Sequence, residues 1–287
     1  MYDIVIVGSG PAGLSAAITA RSRNKEVLLV SNDPFESPLA KAPMIDNYPG
    51  LPQINGTDLL NLMIDHAKNL GATFAAGKVI SILPMGDSFS VTTSDEIYQG
   101  ESVILTTGLV RTKPFPGETE YLGRGVSYCA TCDGMLYRKA TICVVGLTND
   151  AVEEANFLQE IGCAVTFLSK KEPEGLSENI EVRTGTAVEI QGDALGVTGL
   201  VYKDSATKEM ETLPCSGVFI LRSAIAPDAL IMGLPLKEGY IVVDKDMNTP
   251  ILGVFAAGDC VGKPAQVAKA VGEGQAAGFS AVAFLDR

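Results

Sequence analysis

The sequence predicts an α/β protein built from two Rossmann-like, three-layer ββα domains. A glycine-rich turn, Gly8-Ser9-Gly10-Pro11-Ala12-Gly13, follows a short β-branched run and opens a helical segment. A weaker copy of the same strand–turn–helix–strand unit begins at Thr141. The chain has 287 residues, which at about 150 residues per domain makes two domains.

In chain order, residues 3–7 (D-I-V-I-V) form a buried strand. The turn follows, then a helix in L-S-A-A-I-T-A-R-S-R. The strand Val27-Leu28-Leu29-Val30 closes a βαβ unit of about thirty residues. Helical spacing spans residues 57–70, with Gly71 as the stop. His66 lies in that helix and reads as a surface residue. Residues 89–105 read as hairpin strands ending at Thr106-Thr107-Gly108, and Lys113-Pro114-Phe115-Pro116-Gly117 reads as a linker. The second unit then runs T-I-C-V-V-G, a helix in A-V-E-E-A-N-F-L-Q-E-I-G, and a strand A-V-T-F-L. Strand-like segments fill 180–222. G-Y-I-V-V-D, G-V-F-A-A-G-D-C and a small-residue helix from about Val267 to Leu285 complete the chain.

Composition narrows the function. The apolar content is 46%, with 30 glycines and no tryptophan, as suits a globular α/β protein. The net charge of −12 argues against nucleic acid and against anionic membrane. No apolar run reaches the ~18 residues of a membrane span. The first residues enter a strand directly, without a basic segment or cleavage site, so a cytoplasmic location is the default expectation. Of six cysteines, only Cys129 and Cys132 have C-x-x-C spacing. A closed zinc site needs four ligands, and one histidine with one C-x-x-C does not supply them, so no metal is expected.

The G-x-G-x-x-G turn sits between strand and helix, the context in which it binds a dinucleotide. Gly8 permits the tight turn, Gly10 admits the pyrophosphate, and Gly13 lets helix and strand approach. The phosphates would meet the helix N-terminus. Ser31-Asn32 replaces the acidic residue that contacts the ribose in many such units, and Asp33 falls past the strand end. Asn32, Lys41 and Val79 are further candidate contacts of the dinucleotide.

Tyr128-Cys129-Ala130-Thr131-Cys132-Asp133-Gly134 is more specific than a bare C-x-x-C. Two thiols one turn apart can close a small disulfide ring, and a thiolate is the attacking species. Asp133, beside the pair, is the candidate general acid/base. In this stretch the chain resembles the low-molecular-weight thioredoxin reductase family, and the resemblance covers essentially the whole sequence. G-S-G-P-A-G-L-S-A-A resembles the family's FAD fingerprint, and Asn47-Tyr48-Pro49-Gly50 its flavin loop. Thr106-Thr107-Gly108 looks like its A-T-G turn. G-V-F-A-A-G-D at 253–259 looks like its second FAD motif, with Gly258 in it and Asp259 on the ribitol. Ala265-Gln266-Val267 looks like the segment over the flavin's pyrimidine edge. The resemblance implies FAD and a homodimer. It also implies a discontinuous FAD domain (1–112 and 247–287) around an inserted domain (113–246). In the family the second cysteine faces the flavin and the first attacks thioredoxin, which maps to Cys132 and Cys129.

The match fails where the family binds NADPH. The second turn reads Gly146-Leu147-Thr148-Asn149-Asp150-Ala151, with Thr148 in the place of the second glycine. Lys170-Lys171 stands where the family has an arginine pair for the 2′-phosphate, and lysine lacks arginine's fork. Glu172 and Glu174 follow at once. In this the chain resembles the ferredoxin-dependent flavin thioredoxin reductases, and ferredoxin becomes the expected donor. The acidic balance counts against an acidic partner, so docking would use a local basic patch drawn from Lys41, Arg111, Lys113, Arg124, Arg138 and Lys139. The alternatives are a diverged NADPH-dependent enzyme, a dithiol oxidase using oxygen, and a flavin-binding module without catalysis. Cys143, Cys163 and Cys215 read as core residues, and Cys260 as a packing residue near the cofactor.

Overall fold

The computed structural model describes residues 1–109, 114–148, 151–222 and 225–287. The chain divides into two compact units, Met1–Arg111 with Ala226–Arg287, and Thr112–Ile225.

The first unit begins with β1 (Tyr2–Val7), α1 (Pro11–Arg21), β2 (Val27–Ser31), α2 (Gly56–Asn69), β3 (Thr73–Ala76), β4 (Val79–Pro84), β5 (Phe89–Thr93) and β6 (Ile97–Leu105). The second unit holds β7 (Val126–Ser127), α3 (Ala130–Asp133), β8 (Thr141–Gly146), α4 (Ala151–Glu160), β9 (Ala164–Ser169), β10 (Glu181–Gly192), β11 (Val197–Asp204), β12 (Met210–Pro214) and β13 (Gly217–Leu221). The chain returns to the first unit with α5 (Pro227–Leu230), β14 (Leu236–Lys237), β15 (Tyr240–Ile241), β16 (Val254–Ala256) and α6 (Val267–Leu285).

In the first unit the sheet order is β3-β2-β1-β6-β5-β4, and β16 pairs with β6. The pairs β1–β2, β2–β3, β1–β6 and β6–β16 are parallel, while β4–β5 and β5–β6 are antiparallel. Ile4, Val5, Ile6 and Val27–Val30 are buried, as continuous apolar runs are in a sheet covered on both faces. The small residues of α6 have a packing reason. A Cβ at Gly274 would lie 2.1 Å from the Ala12 carbonyl oxygen, so only glycine lets α6 lie this close to α1. Asn55 caps α2 by accepting the Thr57 amide at 2.8 Å, and the helix gives way at Gly71, whose φ is +87°.

In the second unit the order is β12-β11-β10-β9-β8-β13-β7. Strands β10, β9, β8, β13 and β7 run parallel, and β11 and β12 extend the edge antiparallel. Apolar clusters cover the sheet, one around Phe167 and Phe219, the other around Tyr202 and Leu200. The pairing β9-β8-β13-β7 gathers the carboxyl ends of β8 and β13 beside the segment that carries the cysteine pair.

The domain boundary differs from the expected one. The chain re-enters the first unit at Ala226, not 247, because α5 packs against β4 and β15 against the turn at Asp259–Val261. Only Tyr240 and Ile241 of Y-I-V-V extend as a strand, paired with Leu236 and Lys237 in a hairpin. Strands β3 and β4 were not anticipated, since T-F-A-A is too short to show a period. No helix among the described residues is long and apolar enough to cross a membrane.

Candidate active site

The first glycine turn is built by close approach. Gly8 has φ +108°, and a Cβ there would lie 2.4 Å from the Thr106 carbonyl oxygen. A Cβ at Gly13 would lie 2.0 Å from the Gly8 carbonyl oxygen. The Thr106 hydroxyl donates to the Val7 and Gly8 carbonyls at 2.9 Å each, fastening β6 to the turn. Gly10 differs, since a Cβ there would meet no atom within 4 Å. It caps α1 without a side-chain bond, and Pro11 starts the helix. The turn therefore presents open space at the N-terminus of an eleven-residue helix with no side chain on its first amides.

Other expected contacts fall around this turn. Ser9 is buried and its hydroxyl lies 2.6 Å from that of Ser31, so the two serines close on each other at the end of β2. Asn32 is exposed just beyond β2, and Asp33 turns back to accept the Phe35 amide at 2.9 Å. Lys41 is exposed, and Val79 is buried at the start of β4. The Thr107 hydroxyl is buried without a well-directed hydrogen-bond partner, although the Cys260 thiol lies beside it. Gly108 follows with φ +68°.

The second motif meets the first through Gly258 (φ +89°), where a Cβ would lie 2.9 Å from the Ala12 methyl. Asn47 donates to the Gln266 side chain at 2.7 Å, joining two expected flavin segments that lie 219 residues apart. Gln266 caps α6, Val267 opens it, and Ala265 precedes them. Burial, and secondarily the charge of Glu273, pushes the Asp259 carboxyl up, against the pull of Lys269. Two residues of α6 missed by sequence reasoning hold this loop. Lys269 donates to the Gly258 and Gly262 carbonyls at 3.0 and 2.7 Å, and Glu273 accepts the Gly258 amide at 3.0 Å. The two also pair with each other at 3.0 Å, an i, i+4 spacing that could have flagged them. Cys260 is buried, and burial pushes its thiol up to about 11, so it stays protonated at neutral pH and packs.

In the second unit, Cys129 and Cys132 form a disulfide with Cα atoms 5.4 Å apart. Cys129 is 5% exposed and Cys132 is exposed. The Cys129 sulfur accepts the Cys132 amide at 3.1 Å and lies 3.3 Å from the Thr131 hydroxyl. Asp133 does not stand free. Its carboxylate accepts the buried Ser127 hydroxyl at 2.7 Å, and Ser127 Oγ in turn accepts the Cys129 amide at 3.1 Å. Met135 and Leu136 follow on the surface, 59% and 82% exposed, with Arg138 and Lys139 exposed beyond them. Arg124 is exposed too, while Arg111 and Lys113 lie outside the described residues.

A buried cluster behind the pair escaped the sequence reading. Glu118 Oε2 accepts the Phe115 amide and Arg222 Nη2, each at 2.8 Å, and Oε1 accepts the Tyr128 hydroxyl at 2.9 Å. The Glu118 and Arg222 side chains are 1% and 4% exposed. Removing one partner strands the other charge, so Glu118→Ala should lose about 3–5 kcal/mol of stability. Chemical denaturation checks this, and an unchanged midpoint would refute it.

At the second turn the described residues bond back to β13. The Thr148 hydroxyl donates to the Leu221 carbonyl at 3.3 Å, and the Leu147 amide donates to the same oxygen at 3.0 Å. A Cβ at Gly146 would lie 2.3 Å from the Phe167 ring. Lys170 and Lys171 are exposed, and Asn149 and Asp150 lie outside the described residues.

A family model described as pyridine nucleotide-disulphide oxidoreductase matches residues 2–274. The chain belongs to that family. It is 32% identical to a thioredoxin reductase of Listeria monocytogenes, over 100% of this chain and 94% of the relative. It is 38% identical to a thioredoxin reductase of Aquifex aeolicus, over 95% of this chain and 90% of the relative. Among solved structures it resembles a ferredoxin-flavin thioredoxin reductase from Clostridium acetobutylicum, with 40% identity, coverage of 99% and 97%, and a TM-score of 0.85. A thioredoxin reductase from Gloeobacter violaceus gives 32% identity, coverage of 99% and 94%, and a TM-score of 0.81. This family member is a flavin disulfide oxidoreductase, and its cofactor is FAD. The open turn at Gly10, the uncapped amides of α1 and the buried Thr107 hydroxyl fit that cofactor.

Proposed function

We propose that this chain reduces the disulfide of thioredoxin with electrons supplied by reduced ferredoxin. The observation that carries the choice of donor is the second nucleotide turn. There a threonine hydroxyl bonds back to β13 in the place of the glycine that would admit a pyrophosphate. The similarity to a ferredoxin-flavin thioredoxin reductase supports the same reading.

Bound FAD supplies the junction between a donor of single electrons and a disulfide that takes two. The chain's own residues do the rest. Gly10, in the turn that Gly8 and Gly13 shape, would admit the pyrophosphate, Asp259 and Thr107 would hold the ribityl chain, and Asn47 with Gln266 would border the ring. Opening the Cys129–Cys132 bond takes two electrons and two protons and leaves two thiols. The Cys129 thiolate attacks one sulfur of the thioredoxin disulfide, forming a mixed disulfide and releasing the other sulfur as a thiolate. Cys132 then attacks Cys129, restores the internal disulfide and frees reduced thioredoxin. Asp133, held by Ser127, carries the proton exchanged at the pair. Exposed Met135 and Leu136 offer an apolar contact beside the pair, and Arg138 and Lys139 a basic one for an acidic donor or substrate. The protein acts as a cytoplasmic homodimer in this reading.

The driving force is adequate. A plant-type ferredoxin lies near −400 mV and thioredoxin near −270 mV. A gap of roughly 130 mV is worth about 6 kcal/mol over two electrons. The test is anaerobic mixing of the holoenzyme with NADPH, NADH and reduced ferredoxin in parallel. Ferredoxin should bleach the flavin absorbance and the nicotinamides should not. Rapid bleaching by NADPH would eliminate ferredoxin as the required donor.

A further inference from the structure

The two residues flanking Cys129 are each tied to a glutamate from a different part of the second unit. On one side, the Tyr128 hydroxyl donates to Glu118 Oε1 at 2.9 Å. Glu118 is itself immobilised, since its other oxygen is bound to Arg222 and the Phe115 amide. On the other side, the Ala130 amide donates to Glu154 Oε2 at 3.1 Å. Glu154 lies in the first turns of α4, the helix that follows the second nucleotide turn. The same helix and the residue just after it press on the redox segment further along, where a Cβ at Gly134 would lie 2.8 Å from a Leu158 methyl and 2.9 Å from one of Ile161. The position of Cys129 is thus fixed from both neighbours, each bonded to a carboxylate.

We propose that Glu154, with the Glu118–Tyr128 pair opposite it, is a positioning residue that holds Cys129 in its reactive geometry. In this role the helix beside the second nucleotide turn serves the redox pair as a brace. The Ala130 amide is the nearest backbone donor after Cys129. When Glu154 accepts it, the amides of the turn are divided, Ala130 to the carboxylate and Cys132 to the Cys129 sulfur. Without the carboxylate the Ala130 amide loses its acceptor, and the turn can rotate toward another one. What Glu154 supplies is an acceptor oxygen at a fixed place, which a glutamine amide also supplies.

The inference rests on Cys129 and Cys132 being the redox pair, but not on the identity of the electron donor. The holoenzyme is reduced with dithiothreitol, desalted without oxygen, and mixed with the small disulfide 5,5′-dithiobis(2-nitrobenzoate), so that protein docking does not enter. Glu154→Ala should slow the first phase of thionitrobenzoate release about tenfold, the effect of losing one charge-assisted hydrogen bond. Glu154→Gln should stay within about twofold of the parent. Tyr128→Phe, which leaves Glu118 bonded to Arg222 and Phe115, should slow the phase about threefold at an unchanged unfolding midpoint. An E154A rate equal to or above the parent overturns the proposal, and so does an E154Q rate as low as that of E154A. If E154A does not fold, an unchanged rate in Y128F overturns it. Retention of the full first phase when both Cys129 and Cys132 are replaced by serine would instead count against the redox assignment of the pair.

Discussion

Cys132→Ser is expected to reduce thioredoxin at about one-thousandth of the parent rate or less, and to trap thioredoxin as a covalent adduct through Cys129. The adduct forms because attack needs one thiol and release needs a second. With serine at 132, nothing displaces Cys129 from the mixed disulfide. Cys129→Ser should be equally inactive and should trap nothing. Exposure alone would assign the roles the other way, since Cys132 is exposed and Cys129 is 5% exposed. Hydrogen bonding favours the proposed order. The Cys129 sulfur accepts an amide at 3.1 Å and lies 3.3 Å from the Thr131 hydroxyl, and donors aimed at a sulfur favour its thiolate. The thiolate is the attacking form, which is why Cys129 is the proposed attacking thiol. Non-reducing electrophoresis of each variant with oxidised thioredoxin reads the result directly. An adduct in Cys129→Ser and none in Cys132→Ser would reverse the assignment.

What the sequence made legible was what local chemistry encodes. The run in β1, the glycine turn, the paired cysteines and the threonine at 148 each carry their meaning within about ten residues. The Thr148 substitution was readable as an obstruction, and its hydroxyl bonds to the Leu221 carbonyl. The unread features are contacts between distant positions. Glu118 and Arg222 lie 104 residues apart, and each alone resembles an ordinary surface charge until burial at 1% and 4% is known. Glu154 belongs to a helix whose acidic first turn reads as solvated, yet its carboxylate lies on Ala130. The return to the first unit was misplaced by about twenty residues for a related reason. The hairpin at Leu236–Ile241 is too short for a periodic signal, so only its packing reveals which unit owns it.

Gly13→Ala should yield protein without flavin, and the cause lies in one distance. The added Cβ would stand 2.0 Å from the Gly8 carbonyl oxygen and 2.7 Å from the Thr106 hydroxyl. The first neighbour is backbone at the end of β1, and the second is fixed by its bonds to the Val7 and Gly8 carbonyls. Neither can swing aside, so α1 must move away from β1. Overpacking of this kind costs about 1–3 kcal/mol, and here it falls on the turn that seats the pyrophosphate. Gly10→Ala is the instructive contrast. Gly10 has φ −75°, which alanine adopts freely, and its Cβ would meet no protein atom within 4 Å. The apoprotein of G10A should therefore unfold like the parent, while its affinity for FAD falls about a hundredfold, because the methyl enters the space the pyrophosphate needs. Thermal unfolding without cofactor and titration with FAD separate the two variants. If G10A took up FAD as tightly as the parent, the open space at Gly10 would not be the seat of the cofactor, and the first glycine turn would have to be read as packing alone.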